Sequence, residues 1–256
     1  MNTMNVLSWP FRFAIIVITL VSWAAVVGPT LAAEPELKVI TEIAPPAAFI
    51  DTDGNLTGLA VEIVQAIQQE IGVQTKIQVM PWARGYLELT TNRNIALFST
   101  TRTPARENLF QWVGPLFTTR WIIYARKGSD LHITSLEDAK SIERIGVYRG
   151  DARAQLLRDN GFQNLDITDK QELNLVKLLR DRVNAILYSD LTMKEFLSKS
   201  DTDPVRIEAL FEIGARDLYI AFSMDTDPET IRVWQEAYNR LEERGELQPI
   251  RDKWLP

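Results

Sequence analysis

Cysteine is absent from the sequence, and histidine occurs once, at position 132. Without cysteine the chain cannot form disulfides, thiolate zinc sites or a cysteine nucleophile. A zinc site would need carboxylates beside His132, and no HExxH motif is present. A Ser-His-Asp triad would also need His132, which lies on a predicted loop before Ser135. We interpret His132 as a surface residue, and the sequence predicts neither a metal ion nor a cofactor.

Phosphate-binding glycine motifs are also missing, since the chain has no GxGxxG segment and no Walker loop. The net charge is −6, with both signs of charge scattered along the chain. Nucleic-acid binding requires a basic face. These absences argue against a nucleotide-binding protein and against a nucleic-acid partner.

The N-terminal segment has the pattern of an export signal. Arg12 precedes a predominantly apolar run over residues 13–27, and a glycine and a proline then break that run. The run is shorter than the ~20 residues that span a bilayer. Small residues follow, so we expect residues 1–33 to be a cleaved signal peptide, with cleavage after Ala32 or Ala33. With no cysteine to carry a lipid, the mature chain is expected to diffuse freely in a bacterial periplasm.

Beyond the signal, strand-like and helix-like patterns alternate, which predicts an α/β fold. Examples are an amphipathic helix over residues 60–71, a strand over residues 121–125 and a long helix over residues 228–244 that Gly245 should stop. The length of the mature chain suits either one large domain or two lobes of ~110 residues.

The most informative segment is residues 98–117, which read FSTTRTPARENLFQWVGPLF. A strand predicted at 95–98 runs into hydroxyl side chains, and Thr103 and Pro104 predict the N-cap and first residue of a helix. Arg106 would then lie in the first turn. A strand end, a helix start, hydroxyl donors and a guanidinium suit a small carboxylate. The alternative is a Thr-capped surface helix with Arg106 in solvent.

This segment resembles the T-x-T-P-x-R motif of the family 3 bacterial extracellular solute-binding proteins, the polar amino acid binders of ABC importers. Five more motifs of that family match in order along the chain: the D-G hairpin and first helix (53–63), S-L-E-D (135–139), V-G-V-x-x-G (145–150), R-V-N-A (182–185) and the C-terminal L-x-x-x-G-x-L and K-W pattern (241–255). The matches extend from about Leu37 to Leu255, nearly the whole mature chain.

The resemblance implies a type II periplasmic-binding fold, with two lobes that are each a mixed sheet flanked by helices. Crossovers near residues 117–120 and 214–217 would join the lobes. Lobe 1 would then comprise residues 34–118 and 218–256, and lobe 2 residues 119–217. The solute would lie between the lobes, which close around it by hinge bending.

The resemblance also implies binding residues in the first lobe. Arg106 would anchor a carboxylate through its planar fork of donors. Thr101 would contact the ligand through its hydroxyl and Ser99 through its backbone carbonyl, unless both only satisfy the local turn. Trp82 would be an aromatic wall of the pocket or a core residue. Arg84 would be a second anion clamp or a solvated charge.

The second lobe departs from the amino acid binders. Asp151 stands where they commonly have Thr or Ser. It would repel a ligand carboxylate unless one of the two is protonated or a cation intervenes, or it would only cap the helix over residues 152–159. Ser189 occupies the position of their ammonium-binding Asp, and Asp190 follows on the opposite side of the strand. Ala44 stands near their stacking aromatic residue. The anionic half of an amino acid site is therefore supported, and the ammonium half is not.

The expected function is that of a periplasmic solute-binding protein. It would capture an amino acid or another small carboxylate, deliver it to a membrane ABC permease, act as a monomer and catalyse nothing. One rival is an enzyme on the same fold, similar to the periplasmic cyclohexadienyl dehydratases, with Glu62, Asp151 or Asp190 as general acid. The other is a sensory module that presents its solute to a membrane receptor. Fold analogy cannot separate the three.

A calcium loop is a weaker interpretation of the segment from Asp51 to Glu62. Oxygen-bearing side chains follow the calcium-loop spacing, but Leu56 stands where such loops need glycine. Asp53-Gly54 between extended segments predicts a hairpin turn instead.

Overall fold

The computed structural model describes residue 1, residues 36–199 and residues 206–255. The predicted signal peptide, apart from Met1, lies outside the described residues. The described residues from 36 onward belong to one compact unit. No helix in these ranges combines the length and apolar character that a bilayer crossing requires.

The predicted α/β architecture is confirmed. The strands of the described ranges are β1 (Lys38–Thr41), β2 (Phe49–Ile50), β3 (Leu56–Thr57), β4 (Ile77–Val79), β5 (Ile95–Thr101), β6 (Phe110–Arg126), β7 (Ile145–Tyr148), β8 (Leu165–Thr168), β9 (Ala185–Ser189) and β10 (Ile207–Ser223). The α-helices are α1 (Leu59–Glu70), α2 (Trp82–Thr91), α3 (Ala152–Asp159), α4 (Glu172–Leu179), α5 (Asp190–Lys199), α6 (Pro228–Glu243) and α7 (Gln248–Trp254). Short 3₁₀ helices cover Glu107–Leu109 and Asp138–Ser141.

Eight strands form one mixed sheet in the order β4-β1-β5-β10-β6-β9-β7-β8. Strands β4, β1 and β5 are mutually parallel, as are β9, β7 and β8. The long antiparallel pair β6 and β10 lies between these two groups and pairs with β9 and β5 respectively. The segments in which crossovers were predicted, residues 117–120 and 214–217, lie in the middle of this pair, where Thr119 pairs with Arg216.

The register of the long pair makes the carboxyl ends of the two groups face each other. β5 ends at Thr101, which lies level with Phe117 of β6 because both pair with Leu218. β9 runs in the opposite direction and ends at Ser189, opposite Trp121. The two ends are therefore separated by the stretch of β6 from Phe117 to Trp121, about 13 Å at about 3.3 Å per residue.

Separate apolar clusters support the two ends of the sheet. Helices α1 and α6 pack on one side of the β1–β5 end, with Ile63, Phe222 and Trp234 in that cluster. Around β7 and β9, a different cluster contains Ile145 and Leu157. The clusters hold the two groups of strand ends in place, so the space between them is defined by the core and not by loops alone.

The predicted hairpin between Asp51 and Glu62 is confirmed, because β2 pairs antiparallel with β3. The Asp51 carboxylate accepts hydrogen bonds from the backbone N–H groups of Asp53 and Asn55, at 2.9 and 2.8 Å. This oxygen serves the turn itself.

The helix predicted to begin at Pro104 is wrong. The chain forms a turn and then the 3₁₀ helix Glu107–Leu109, which has no side-chain cap hydrogen bond. β6 begins at Phe110 immediately afterwards. The early return of the chain to the sheet leaves no room for the helix that Thr103 was predicted to cap.

Candidate functional site

A cavity lies between the facing strand ends. Its volume is about 80 Å³, enough for on the order of six waters at about 10–15 Å³ each. Its polar lining comes from both groups of strands: Glu42, Ser99, Thr101, Thr119, Asp151, Arg153, Gln171, Ser189 and Thr192. Apolar side chains complete the wall, among them Ala44, Ala47, Leu59, Phe117 and Trp121. Such a lining suits a small polar solute.

Ser99 and Thr101, both predicted as binding residues, line this cavity. Ser99 has a positive φ of 59°, although it belongs to strand β5. Its Oγ is buried and has no hydrogen-bond partner among the described residues. A strained backbone and an unpaired hydroxyl at a cavity wall are features of binding sites.

Arg106 is buried, with only 1% of its surface exposed. Its guanidinium lies over the rings of Tyr86 and Trp82, 4.8 and 5.5 Å from their centroids, and Nη2 donates to the Gly150 carbonyl at 3.3 Å. Nε and Nη1 make no hydrogen bond within the described part of the chain. Burial lowers the pKa of this guanidinium, an effect that Tyr86 and Asp151 only partly oppose. Arg106 is not among the residues that form the cavity surface; it contacts Gly150, which precedes the cavity residue Asp151 in the chain.

Trp82 occupies the same layer as Arg106. It is 5% exposed, and its indole Nε1 donates a 2.8 Å hydrogen bond to the Gly150 carbonyl. Gly150 adopts a φ of +69° that favours glycine. Trp82 therefore ties the start of α2 to the turn after β7, and it does not itself form the cavity surface.

Of the two roles predicted for Asp151, the helix cap is observed, and the residue also lies at the cavity wall. Its carboxylate caps α3 by accepting a hydrogen bond from the Arg153 N–H at 2.7 Å, and it also lines the cavity. The Arg153 side chain donates to both Asp151 oxygens, from Nε at 2.7 Å and Nη2 at 3.0 Å. Burial raises the pKa of Asp151, but Arg153 outweighs that effect and holds it below its usual value. The pair is a closely matched fork of the kind that arginine makes with carboxylates.

Glu42 is the second carboxylate of the cavity. It follows the last residue of β1, is partly buried, and accepts a hydrogen bond from the Tyr148 hydroxyl at 3.2 Å. Burial, with a further contribution from Asp151, raises the pKa of Glu42 to about 8.

The side chains of Ser189 and Asp190 contact different parts of the molecule. Ser189 lines the cavity and accepts a hydrogen bond from the Thr192 backbone N–H at 3.1 Å. Asp190 is absent from the cavity lining, because its carboxylate accepts from the Thr119 hydroxyl at 2.6 Å and the Arg120 N–H at 3.0 Å. Of these two residues, Ser189 is the one at the cavity wall, and the Asp190 carboxylate contacts the middle of β6.

Arg84, which was predicted as an anion clamp or a solvated charge, and His132, which was predicted as a surface residue, both lie at the surface. Arg84 is exposed, as expected for a solvated charge, and His132 is exposed on its loop. Within the described ranges, no group of three or more histidine, cysteine or acidic side chains is arranged to hold a metal ion.

Sequence reasoning missed Glu42, Thr119, Arg153, Gln171 and Thr192 as cavity residues. For Glu42 a signal was available. It directly follows a strand, and ligands of α/β proteins bind outside the carboxyl ends of strands. No comparable signal marked the other four, because their approach to the cavity depends on the register of β6 and the packing of α3, α4 and α5.

Comparison with known proteins places this geometry in context. The chain matches the model of bacterial extracellular solute-binding proteins, family 3, over residues 37–256. The L-cystine-binding protein TcyJ of Escherichia coli strain K12 is 24% identical over 215 residues, which cover 82% of this chain and 79% of that protein. The arginine-binding extracellular protein ArtP of Bacillus subtilis strain 168 is 23% identical over 206 residues, 78% of each chain.

Solved structures share the fold. An ancestral arginine-binding protein bound to arginine superimposes with a TM-score of 0.75 at 22% identity, covering 86% of this chain and 98% of its own. A histidine kinase sensor domain with similarity to periplasmic binding proteins has a TM-score of 0.76 at 20% identity, covering 85% and 96%. With a family match over residues 37–256, this protein belongs to the family 3 bacterial extracellular solute-binding proteins.

Proposed function

We propose that this protein is the periplasmic solute-binding component of an ABC importer and captures a small carboxylate-bearing solute, an amino acid, between the facing strand ends. One observation carries the proposal: a small cavity with polar groups from both halves of the sheet lies beside a guanidinium that is 1% exposed and has two unpaired nitrogens. A buried guanidinium pairs best with a carboxylate. The relatives named for cystine and arginine support an amino acid as the solute.

In this proposal the two halves of the sheet are lobes that part at the middle of β6 and β10. Phe117 to Arg120 and Gly214 to Asp217 then act as the hinge. Opening at this hinge separates Gly150 from Trp82 and Arg106, so the guanidinium becomes accessible to the solute. Lobe 1 would comprise residues 34–118 and 218–256, and lobe 2 the remainder of the mature chain.

The proposal also includes the location of the protein in the cell, its oligomeric state and its partner. Residues 1–33 direct export to the periplasm, the mature protein is a monomer, and its partner is a membrane ABC permease. No catalytic step is included, so a bound solute should be recovered unchanged.

Isothermal titration calorimetry with L-arginine, L-glutamine, L-cystine, L-glutamate and succinate tests the proposal. We expect one-to-one binding of at least one compound with a Kd near micromolar, about −8 kcal/mol. Mass spectrometry of the recovered solute should show no change in mass. Absence of binding to every compound, or conversion of a bound compound, would contradict the proposed function.

A further inference from the structure

We infer that Trp82, Arg106 and Glu42 of lobe 1 form a latch with residues 148–150 of lobe 2, and that this latch keeps the lobes closed with or without solute. The inference rests on the proposed function, because the lobes and their hinge belong to it. Trp82 is then a positioning residue for closure and makes no contact with the solute.

Three hydrogen bonds join lobe 1 to the turn after β7. The Trp82 indole Nε1 donates to the Gly150 carbonyl at 2.8 Å, and Arg106 Nη2 donates to the same oxygen at 3.3 Å. Two residues earlier in the chain, the Tyr148 hydroxyl donates to the Glu42 carboxylate at 3.2 Å. All of these donors and acceptors are protein groups, so the latch does not require a solute.

Apolar packing accompanies the hydrogen bonds. Tyr148 is 8% exposed and belongs to an apolar cluster whose other buried members, among them Ile40, Trp82 and Leu97, come from lobe 1. The Tyr148 side chain therefore crosses from one lobe to the other. Opening would return this ring to water, so its burial favours the closed arrangement.

The backbone of the turn suits its contact with the indole. Gly150 has a φ of +69°, which favours glycine, and a Cβ built there would lie 3.7 Å from Cδ1 of Trp82. Gly150 immediately precedes Asp151, which lines the cavity, whereas Gly150 and Trp82 do not. The latch is thus next to the cavity in the chain and separate from the cavity surface.

Arg106 connects the latch to solute capture. Its Nη2 donates to the latch, whereas Nε and Nη1 have no hydrogen-bond partner among the described residues. In the proposed function these two nitrogens are left for the solute carboxylate. One guanidinium then contacts both the solute and the opposite lobe, so capture adds to a closure that protein groups already favour.

Such a latch controls the rates of solute binding more than the affinity. It stabilises the closed protein equally with and without solute, so it supplies no differential free energy to binding when the closed form predominates in both states. Entry and release of the solute both require the latch to open. Weakening it should accelerate association and dissociation together and leave the Kd nearly unchanged.

Two substitutions weaken the latch without removing a ring. Trp82→Phe keeps an aromatic side chain and removes the indole donor to Gly150, and Tyr148→Phe removes the hydroxyl donor in the same way. Trp112→Phe is the matched control, because the Trp112 indole donates at 3.1 Å to the Glu107 carbonyl, entirely within lobe 1.

Pulsed electron paramagnetic resonance measures the distance between the lobes. The chain has no cysteine, so spin labels attach only at Thr90→Cys in lobe 1 and Lys170→Cys in lobe 2, both at exposed positions. Without solute, we expect one main distance in the labelled wild type and in Trp112→Phe. Trp82→Phe should add a second population, at the distance of the open form, and so should Tyr148→Phe.

Stopped-flow fluorescence measures the rates, with whichever of L-arginine, L-glutamine, L-cystine, L-glutamate and succinate binds in the titration. Trp82→Phe should raise the association and dissociation rate constants about fivefold each, the effect of one hydrogen bond. Its Kd should stay within twofold of the wild-type value. Trp112→Phe should change neither rate.

The outcomes separate the latch from the proposed function. Wild-type distances and rates in both Trp82→Phe and Tyr148→Phe overturn the latch and leave solute capture standing. A Kd raised more than tenfold in Trp82→Phe at an unchanged association rate also overturns it, because a residue that contacts the solute behaves in that way. If none of the five compounds binds, the proposed function fails, and the label distances decide the latch alone. If Trp82→Phe does not fold, Tyr148→Phe decides it.

Discussion

The charged guanidinium of Arg106 is almost completely buried. Only 1% of its surface is exposed, and its contacts are two aromatic rings and one backbone carbonyl. Burial of a charge without an ionic partner costs free energy. A side chain that served packing alone would be more stable without that charge, which supports the proposed role of Arg106 in solute binding.

Replacing Arg106 with Met should therefore separate affinity from stability. We expect a loss of about 2–5 kcal/mol in the binding free energy of the amino acid bound by the wild type, because its carboxylate loses its partner. The free energy of unfolding should stay the same or rise by about 1 kcal/mol, since desolvation of the charge is avoided. Calorimetry and urea unfolding measure the two effects. Arg84→Met removes an exposed arginine and should change neither; a wild-type Kd for the Arg106 variant would contradict the role of Arg106.

The raised pKa of Glu42 predicts a pH dependence of stability. Its pKa is about 8 in the folded protein, against 4.5 as the ordinary value, so the folded state binds the proton more tightly. The contribution of protonated Glu42 to the free energy of unfolding is fully present below about pH 4.5 and is lost as the pH rises through about 8. The free energy of unfolding should fall across this window by up to about 1.4 kcal/mol per pH unit from this group.

Urea unfolding of wild type and Glu42→Gln between pH 5 and 8.5 measures this dependence. The difference in unfolding free energy between the two proteins should change as the pH rises to about 8 and become constant above about 8. Parallel pH profiles for the two proteins would show that Glu42 keeps an ordinary pKa.

At the level of secondary-structure elements, the segment between β5 and β6 shows tertiary contacts overriding a local sequence preference for a helix. Thr103 and Pro104 are good residues for the start of a helix. In the structure, however, Arg102 pairs with Glu107, with Nε to Oε2 at 2.8 Å, and lies over the Trp112 and Tyr219 rings. These contacts fold the segment into a tight turn against β6 and β10, and Arg106 points inward as a result.

The start of α6 is an element where local chemistry and structure agree. Asp227 accepts a hydrogen bond from the Glu229 N–H at 2.8 Å, and Pro228 occupies the first turn. Asp227→Ala should lower the free energy of unfolding by about 1 kcal/mol, because a backbone donor loses its acceptor. Urea unfolding measures the loss. Asp159→Ala, at an exposed aspartate that ends α3, is the control, and equal effects of the two substitutions would argue against the cap.

At the scale of the whole molecule, the long pair of β6 and β10 decides the geometry of the site. It runs through both halves of the sheet, and near its middle the Thr118 hydroxyl donates to Asp217 at 2.6 Å. The carboxyl ends of β5 and β9 meet the cavity from opposite directions only because of this register. A shift along the pair would change the distance between the carboxyl ends of β5 and β9.

Solute binding should stabilise the whole protein by mass action. At a concentration 100 times its Kd, a solute that binds only the folded state adds about 2.7 kcal/mol, which raises Tm by about 5–10 °C for a chain of this size. Differential scanning calorimetry with the amino acid identified by titration measures the shift. Arg106→Met at the same solute concentration should show little of it. An unchanged Tm in the wild type would contradict binding to the folded state.

Local patterns predicted the elements that depend on neighbours in sequence. The helix Ala152–Asp159 has the predicted bounds, those of α1 and α6 lie within one residue of the predicted ones, and Gly245 follows α6 in a left-handed conformation. Their periodicity, caps and stop residues act within one or two turns of chain. The long extensions of β6 and β10 were missed, because extended pairing over 17 residues in each strand needs a partner distant in sequence.

The residues of the candidate site also fall into two groups, those predicted from local sequence motifs and those placed by the tertiary structure. The amino-acid sequence alone determined the α/β class, the family resemblance and the choice of Ser99, Thr101, Asp151 and Ser189, whose motifs are local. Only the tertiary structure decided that Glu42 and Arg153 line the same cavity, that Arg106 is buried against Gly150 and that Asp190 contacts β6. These placements depend on strand register and packing between residues far apart in the chain, and no short sequence pattern encodes such distances.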